Sequence, residues 1–401
     1  MAEECPAWLD ATFLASALQG EDGSHVTIDK FSVSPAVAAG NNYMSHLFRV
    51  SVEYSVAGSD IQVNSFIVKV PISKGVITKH LDKADFYAKE PRIYKELLPK
   101  FSKIINYEFG PRLFRCPLKN GMVLKDLLEE GYVLCDKFKQ LDFAHCKIVY
   151  TTLAKFHAAS VACNHDDPEL TKQLGINMRY TSRNVMYLPF TKSALKYFKN
   201  ALGEMEGCEL ATELVLSRAD LVAESITDFC KPKANGLNVL NHGDVWINNL
   251  LFKKLNSGEV VDVKFIDFQV SRWGSPVQDL LFFLWTSANE EVREYRQKEL
   301  FTLYRHTLNS SLEQLGCLER LSEQEMEDDL RAAVDFVLLT ISGTLPFVRS
   351  GSDGAVTIGD LSAEQIKSFD VLKHLYSNKR FREVLPKIVQ QFQKWIVSLV
   401  L

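Results

Sequence analysis

A compact group of polar residues lies between two apolar stretches in NHGDVWINNLLF, residues 241–252. It contains His242, Asp244 and Asn249. An amide oxygen together with a carboxylate suits Mg²⁺, and a carboxylate that is not needed as a ligand suits a general base for a hydroxyl. Phosphoryl transfer to an alcohol uses this combination. The alternative is a capped loop in which the Asp and Asn side chains satisfy the backbone of a turn.

A β-hairpin predicted directly after this group determines which side chains come together. The β-prone runs LLFKKL and VVDVKFID flank the turn residues 256–258, which predicts an antiparallel pair. Asn249 begins the first strand and Asp267 ends the second. Neighbouring strands lie about 4.8 Å apart. Asn249 and Asp267 are therefore expected within reach of one cation, with Asp244 on the approaching loop.

A β-rich N-terminal part and a mainly helical C-terminal part are predicted to hold these elements. HVTIDKFSVSPA and LFRVSVEYSV alternate apolar and polar residues, and IQVNSFIVKVPI follows a turn, so three strands are expected. Apolar residues recur three and four positions apart over residues 84–101, which predicts a helix. From about Leu141 the pattern is helical, except for residues 237–268. The fold class is therefore α+β, with a boundary near residues 122–130.

The composition excludes several classes of protein. A formal net charge of -4 and a pI near 6.2 argue against nucleic-acid binding. The N-terminus lacks the basic region of a signal peptide, and the longest apolar stretch, FVLLTISGTLPFV, is too short to cross a bilayer. Eight cysteines without a C-x-x-C pair indicate reduced, mostly buried thiols. We expect a cytoplasmic protein with no membrane, nucleic-acid or obligate protein partner.

Several stretches together resemble one group of phosphotransferases. H-G-D-x-x-x-x-N followed by a hairpin and I-D-F resembles the catalytic loop and metal-binding segment of protein-kinase-like enzymes, and HGD is typical of their small-molecule branch, which includes aminoglycoside phosphotransferases and choline kinases. With GNNYMSHLFRVSVEY, IVKVP, LAKFHAAS and FIDFQVSRWGSPVQDLLFFL, the sequence is most similar to the ecdysteroid kinase-like (CHK kinase-like) family. The matching stretches span residues 40–285.

The resemblance implies a two-lobed protein-kinase-like fold. Residues 1–125 would form the nucleotide-binding lobe with a hinge at its end. Residues 126–401 would form a helical lobe with the catalytic loop and the acceptor site.

The same resemblance implies a role for each matching polar residue. Asp244 would be the catalytic base, while Asn249 and Asp267 would bind Mg²⁺. His242 would hold the catalytic loop against the core. Asp279 would fix this loop from below, and N-capping of its own helix is the alternative for Asp279.

Lys69 is the candidate for binding the α- and β-phosphates of ATP. It lies within the otherwise apolar run of residues 66–70, and Glu90 shares the apolar face of the predicted helix. A carboxylate on an apolar face has to be paired, so we expect a Lys69–Glu90 ion pair. An edge-strand lysine that reaches water is the alternative. Residues before proline avoid the helical region, so the helix is expected either to begin at Pro91 or to bend there.

Further nucleotide contacts are expected from a loop that contains one glycine. AAGNNYMS takes the place of a glycine-rich loop, and its backbone and the side chains of Asn41, Asn42 and Ser45 would cover the phosphates. A plain turn is the alternative. In GMVLKDLLEEGY a lysine stands where the family usually has an acidic residue, and the backbone from Leu124 to Asp126 is still expected to contact adenine.

These features favour an ATP- and Mg²⁺-dependent small-molecule kinase that acts on a hydroxyl of an apolar alcohol. The resemblance suggests an ecdysteroid or a related steroid or xenobiotic as the acceptor. The alternatives are a catalytically silent kinase-fold protein that binds a ligand, and an enzyme similar to choline or ethanolamine kinases. Retention of Lys69, Asp244, Asn249 and Asp267 favours an enzyme. The presumed acceptor region, residues 180–230, has aromatic residues interspersed with lysines, which argues against a polycationic acceptor.

Overall fold

The structure is a computed structural model that describes residues 5–20, 23–36, 45–72, 86–350 and 362–400. Asn41 and Asn42, which were expected to cover the phosphates, lie outside the described residues. Ser45 is the first residue of the second strand.

A five-stranded antiparallel sheet forms most of the N-terminal part. Its strand order is β1-β2-β3-β5-β4, with β1 at Val26–Pro35, β2 at Ser45–Val56, β3 at Gln62–Pro71, β4 at Leu113–Phe114 and β5 at Met122–Lys125. The C-terminal part contributes β7 (Val239–Asn241) and β10 (Arg272–Gly274) to one small sheet, and β6 (Tyr132–Leu134), β8 (Leu250–Lys254) and β9 (Val260–Phe265) to another.

Helices make up most of the remaining described chain. They are α1 (Ala11–Leu18), α2 (residues 86–105), α3 (Phe143–Asp166), α4 (Pro168–Leu174), α5 (Tyr187–Leu202), α6 (Glu209–Arg218), α7 (Val222–Phe229), α8 (Val277–Ser287), α9 (residues 292–314), α10 (Glu323–Ala332), α11 (Val334–Arg349), α12 (Ala363–Ser368), α13 (Val371–Ser377) and α14 (Lys379–Val400). The predicted α+β class, with a β-rich N-terminal part and a mainly helical C-terminal part, is confirmed. The division into lobes at residue 125 stays a prediction.

One face of the five-stranded sheet packs against α1. Val50, Val52 and Val68 are fully buried in one cluster with Phe13 and Leu14 of that helix. Every second residue in the middle of β2 is buried, as the alternation in the sequence predicts. The sheet therefore has its own small core, while a larger core joins α2 to the C-terminal helices.

The helix that carries Glu90 does not begin at Pro91. It starts with a 3-10 turn at Phe86–Ala88 and continues as α-helix over Lys89–Arg92, so Glu90 is helical although it precedes a proline. Pro91 lies in the first turn of the α-helical segment, where a missing N–H removes no intrahelical hydrogen bond. A π-helical turn, Ile93–Leu97, follows directly.

Helix α11 is also irregular. A π-helical turn, Thr340–Thr344, separates its two α-helical segments. A Cβ atom on Gly343 in this turn would lie 2.6 Å from the ring of Phe190 on α5. The absence of a side chain at Gly343 therefore allows the two helices to approach closely.

Two expectations from the composition concern membranes and thiols. Among the described residues, no single helix meets the length and hydropathy required of a bilayer span, and one bent pair, Glu323–Ala332 with Val334–Arg349, meets them together. All eight cysteines are free thiols, and five of them are buried. The expectation that most of the thiols are buried is confirmed, and their reduced state stays a prediction.

Phe156 of α3 lies at the centre of an aromatic cluster that joins the helices to the hairpin. Its ring is fully buried, and it packs against the rings of Phe101, Phe109, Phe265 and Phe268 at centroid distances of 5.2, 5.3, 6.2 and 5.9 Å. Phe268 directly follows Asp267, so this cluster supports the backbone that carries the predicted metal ligand.

We therefore expect Phe156→Ala to lower the free energy of unfolding by about 3–5 kcal/mol, because it leaves a cavity that rigid rings cannot fill. Urea denaturation followed by tryptophan fluorescence measures the change. Tyr295→Ala is the matched control, since Tyr295 is 71% exposed and its loss should change stability by less than about 0.5 kcal/mol. Equal effects of the two substitutions would contradict the central position of Phe156.

Candidate active site

The loop after β7 is held in place by the buried carboxylate of Asp279. Asp279 lies in the first turn of α8, and its two oxygens accept hydrogen bonds from the backbone N–H groups of His242, at 2.6 Å, and Gly243, at 2.9 Å. His157 approaches one of these oxygens through Nε2 at 3.2 Å. Burial opposes ionisation, but the hydrogen bond to His157 and nearby positive charges hold the pKa of Asp279 below its usual value. No described contact of this side chain caps α8.

Glycine is required at position 243. Gly243 has a φ of 87°, a left-handed conformation, and a Cβ atom there would collide with the carbonyl oxygen of Val270. The carbonyl oxygen of Gly243 accepts a hydrogen bond from the buried Arg272 at 3.2 Å. The glycine of the HGD sequence is therefore needed for the path of the backbone.

His242 connects this loop to the hairpin. Its Nε2 lies 3.0 Å from the carbonyl oxygen of Ile266, and its Nδ1 lies 3.2 Å from the backbone nitrogen of Asp244. The carbonyl can only accept and the backbone N–H can only donate, so the ring carries one proton, on Nε2, and is neutral. Burial lowers the pKa of His242, in agreement with this protonation state.

The predicted hairpin is confirmed. Strands β8 and β9 are antiparallel, with Leu250 opposite Phe265. Asn249 directly precedes β8, Asp267 follows shortly after β9, and the backbone N–H of Ile266 donates to the carbonyl oxygen of Asn249 at 3.1 Å. Asp267 has a φ of 69°, which is uncommon for a residue with a side chain. The hairpin brings the ends that carry Asn249 and Asp267 side by side.

Lys69 joins the sheet to both α2 and the hairpin. It lies on β3, which has β2 on one side and β5 on the other, so it is not on an edge strand. Its Nζ lies 2.7 Å from Glu90, and the predicted ion pair is present. Nζ also lies 3.0 Å from Oδ1 of Asp267. Burial opposes the charge on Lys69, but Asp267 and Glu90 raise its pKa above the usual value.

The carboxylate of Asp244 has two hydrogen-bond partners among the described residues. Nη1 of Arg179 donates to its Oδ1 at 2.6 Å, and the side-chain nitrogen of Asn249 donates to its Oδ2 at 3.0 Å. The first contact could not be predicted from the sequence, because Arg179 stands in a loop before α5 and 65 residues from Asp244. Burial opposes the charge on Arg179, whereas Tyr180 and Asp244 raise its pKa above the usual value.

Two side chains have the chemistry for a divalent metal. Asp267 offers a carboxylate, and the amide oxygen of Asn249 is the atom available as a ligand because its nitrogen is directed to Asp244. Such oxygen donors fit Mg²⁺, which takes few protein ligands and completes its shell with water and phosphate.

Asp244, Asn249 and Asp267 border one cavity. Its other walls are mainly aromatic and aliphatic, and they are formed by Phe86, Tyr180, Met186, Tyr187, Phe190, Trp246, Val270, Leu339, Phe347, Val348 and Phe369, with Asn184, Gln269, Thr344 and Arg179 as further polar groups. The residues of α11 and Phe369 in this wall had no readable signal in the sequence. They lie far along the chain from the loop that carries Asp244, and helix packing brings them to the same cavity.

The acceptor region predicted from the sequence contributes only part of this cavity. Tyr180, Tyr187 and Phe190 border it, whereas Phe198 is fully buried in the core and the hydroxyl of Tyr197 donates to Asp370 at 3.0 Å. The lysines of α5, Lys192, Lys196 and Lys199, are exposed. These lysines do not border the cavity, so their charges would not act on a ligand bound there. The argument drawn from them against a polycationic acceptor does not hold.

The residues expected near adenine lie at the end of the five-stranded sheet. Leu124 is buried in β5, between Ile67 of β3 and Leu113 of β4. The carboxylate of Asp126 accepts hydrogen bonds from Nε of Arg49 at 2.6 Å and Oγ of Ser65 at 2.8 Å. The side chain of Asp126 thus connects the end of β5 to two strands, and contact of its backbone with adenine stays a prediction, as does the role of Ser45.

Comparisons with solved structures find distant similarity to small-molecule kinases. An ethanolamine kinase of Plasmodium vivax is 14% identical over 88% of this chain and 84% of its own, with a TM-score of 0.42. A choline kinase of Cryptosporidium parvum is 14% identical over 92% and 93% of the two chains, with a TM-score of 0.44. An aminoglycoside phosphotransferase of Alicyclobacillus acidocaldarius is 12% identical over 98% of both chains, with a TM-score of 0.41.

A comparison with curated proteins finds no match. The model of the ecdysteroid kinase-like family, in contrast, matches residues 39–317, which is well over half of the chain. The matched range contains Lys69, Asp244, Asn249 and Asp267. The chain therefore belongs to the ecdysteroid kinase-like family and is a small-molecule phosphotransferase.

Proposed function

We propose that the protein transfers the γ-phosphoryl group of ATP to a hydroxyl of a largely apolar small molecule, with Mg²⁺ as the metal. The observation that carries this proposal is the shared cavity, in which Asp244, Asn249 and Asp267 border the same space as an aromatic and aliphatic wall. A hydroxyl bound against that wall would have a proton acceptor and metal ligands beside it. The family description supports an ecdysteroid, or a related steroid or xenobiotic, as the acceptor.

Each polar residue then has one task. Asp244 accepts the proton of the hydroxyl as its oxygen bonds to the γ-phosphorus and the bond to the leaving ADP breaks. Asp267 and Asn249 hold the metal, which when bound neutralises charge on the phosphates. Lys69, kept charged by Glu90, contacts the α- and β-phosphates. His242 and Asp279 fix the backbone that carries Asp244.

The surroundings of Tyr180 argue against a quaternary amine as the acceptor. A cage for choline needs open aromatic faces, because the cation binds to the negative face of a ring. The guanidinium groups of Arg179 and Arg272 already lie over Tyr180, at 5.4 and 5.0 Å from its centroid. A further cation there would be repelled by two like charges. An uncharged alcohol avoids this repulsion and gains from burial against the apolar wall.

Both carboxylates with a proposed role are already paired, Asp244 with Arg179 and Asp267 with Lys69. Binding of a metal–nucleotide complex would require Asp267 to turn from Lys69 toward the metal. Metal-dependent nucleotide binding therefore tests whether Asp267 can take this role.

We expect Asp244→Asn to leave the fold and nucleotide affinity largely intact while turnover falls by roughly 10²–10⁴-fold, since an amide cannot accept the proton. Turnover is measured as phosphorylated product formed by purified protein with its acceptor. Asp60→Asn, at an exposed position between β2 and β3, is the control and should be active. Near-normal turnover of the Asp244 variant would remove this residue from the mechanism.

Asp267→Ala should abolish the gain in nucleotide affinity that Mg²⁺ provides, because the metal would lose its only charged protein ligand. Asn249→Ala should reduce the gain less, because water can replace a neutral amide oxygen. Titration of ATP with and without Mg²⁺ measures both effects. Asp228→Ala, which removes an exposed carboxylate paired with Lys231, serves as the control. Equal losses in the Asp267 and Asn249 variants would contradict this ranking.

With ATP and equal amounts of a polyhydroxylated sterol, choline and an aminoglycoside, we expect the phosphorylated sterol as the main product by mass spectrometry.

Phe190→Ala should raise KM for that sterol about tenfold, the effect of losing roughly 1.4 kcal/mol of apolar contact, with KM for ATP unchanged. Leu318→Ala, whose side chain is 93% exposed, is the control. Phosphocholine or a phosphorylated aminoglycoside as the dominant product would disprove the acceptor class and leave the kinase assignment intact.

A further inference from the structure

The side chain of Arg179 is held rigidly at the edge of the cavity. Its guanidinium lies over the rings of Tyr180 and Phe282, at 5.4 and 5.1 Å from their centroids. Its backbone is fixed as well, since the side chain of Asn177 accepts from its N–H at 3.1 Å and the side chain of Asn184 donates to its carbonyl oxygen at 2.9 Å. A long side chain in an irregular loop is thus restrained from both ends.

Most hydrogen-bond donors of Arg179 are not used by the protein. Both of its side-chain hydrogen bonds, to Asp244 and to the carbonyl oxygen of Gly243, come from Nη1. Within the described part of the chain, Nε and Nη2 have no hydrogen-bond partner. A guanidinium carries five N–H donors in a planar fork that suits phosphate oxygens. Arg179 therefore has unused N–H donors beside the predicted base, Asp244.

The position of Arg179 places its unused donors at the edge of the cavity. It borders the same cavity as Asp244, Asn249 and Asp267. The catalytic-loop sequence HGDVWINN, residues 242–249, contains no lysine or arginine. Among the described residues that border the cavity, Arg179 is the one that carries a permanent positive charge. Arg179 would therefore be the cation beside a phosphoryl group that lies between Asp244 and the metal ligands, and it would stabilise the negative charge that develops there.

We propose that Arg179 is a catalytic residue that orients Asp244 through Nη1 and donates its remaining N–H groups to the phosphoryl group during transfer. This inference rests on the proposed function and deepens it. In the step, the acceptor oxygen bonds to the γ-phosphorus, the bond to ADP breaks and the hydroxyl proton goes to Asp244. Arg179 stays protonated throughout and stabilises the charge spread over the equatorial oxygens, the task of an arginine supplied within the same chain.

A merely structural salt bridge would have a different signature. Loss of such a bridge would lower stability, or would weaken all nucleotide complexes alike. A residue that acts on the transferring group should instead affect complexes that mimic it. The proposal is therefore tested with Mg²⁺–ADP, which lacks a γ-phosphoryl group, and with Mg²⁺–ADP plus aluminium fluoride, which mimics the planar group in transfer.

The experiment measures ADP affinity by titration calorimetry with and without aluminium fluoride. We expect aluminium fluoride to strengthen ADP binding to the unmodified protein, and Arg179→Ala to lose at least tenfold of this gain while its affinity for Mg²⁺–ADP alone stays within about twofold. Arg179→Lys should recover part of the gain, since a lysine restores the charge but not the fork. Arg183→Ala, an exposed arginine in the same loop, should behave like the unmodified protein.

The possible outcomes separate this inference from the proposed function. Failure of the unmodified protein to bind Mg²⁺–ADP would overturn the proposed function. Binding of Mg²⁺–ADP with no gain from aluminium fluoride, or an equal gain in Arg179→Ala, would overturn the role of Arg179 alone. A parallel loss of Mg²⁺–ADP affinity and of stability in urea, in both Arg179 variants, would assign the residue to the fold instead.

Discussion

The loop that carries Asp244 depends on one buried carboxylate. Asp279 has no exposed surface, and a buried charge is stable only when its hydrogen bonds are satisfied. Its donors are two consecutive backbone N–H groups of the loop and the ring of His157, which is itself within 2.6 Å of the hydroxyl of Tyr304. The hydrogen bonds that stabilise the buried charge of Asp279 are therefore the same ones that hold the loop in its shape. Helices α3, α8 and α9 together determine where Asp244 lies.

Two cations, Lys69 and Arg179, connect separate elements of the site. Lys69 bridges a helix and the hairpin, and Arg179 bridges a loop and the predicted base. Both bridges neutralise carboxylates that would otherwise repel the phosphates of a nucleotide. In the proposed nucleotide complex, a phosphate would take over part of each cation's coordination, so that binding would exchange partners without bringing an unpaired charge into a low-dielectric cleft.

The parts of the site that local sequence determines were predictable, and the parts that helix packing determines were not. The hairpin that brings Asn249 to Asp267 follows from turn residues and β-prone runs, and the Lys69–Glu90 pair follows from a carboxylate on an apolar helix face. Of the two alternatives for the helix that carries Glu90, a start at Pro91 is excluded, because Glu90 is already helical, whereas a bend at Pro91 stays a prediction. Periodicity could not show that Arg179 reaches Asp244, since an isolated arginine in a loop has no pattern.

Residues from α11 likewise could not be assigned to the cavity wall from the sequence, and their position has a consequence for the shape of the cavity. The family match ends at residue 317, whereas the wide turn around Gly343 lies beyond it. A Cβ atom on Gly343 would lie 2.6 Å from the ring of Phe190, which is a steric clash, and 3.3 Å from the Cβ atom of Ala194. Phe190 borders the cavity and Gly343 does not, so the position of one wall residue depends on a residue outside the wall. Asp244, Asn249 and Asp267 take no part in this helix contact.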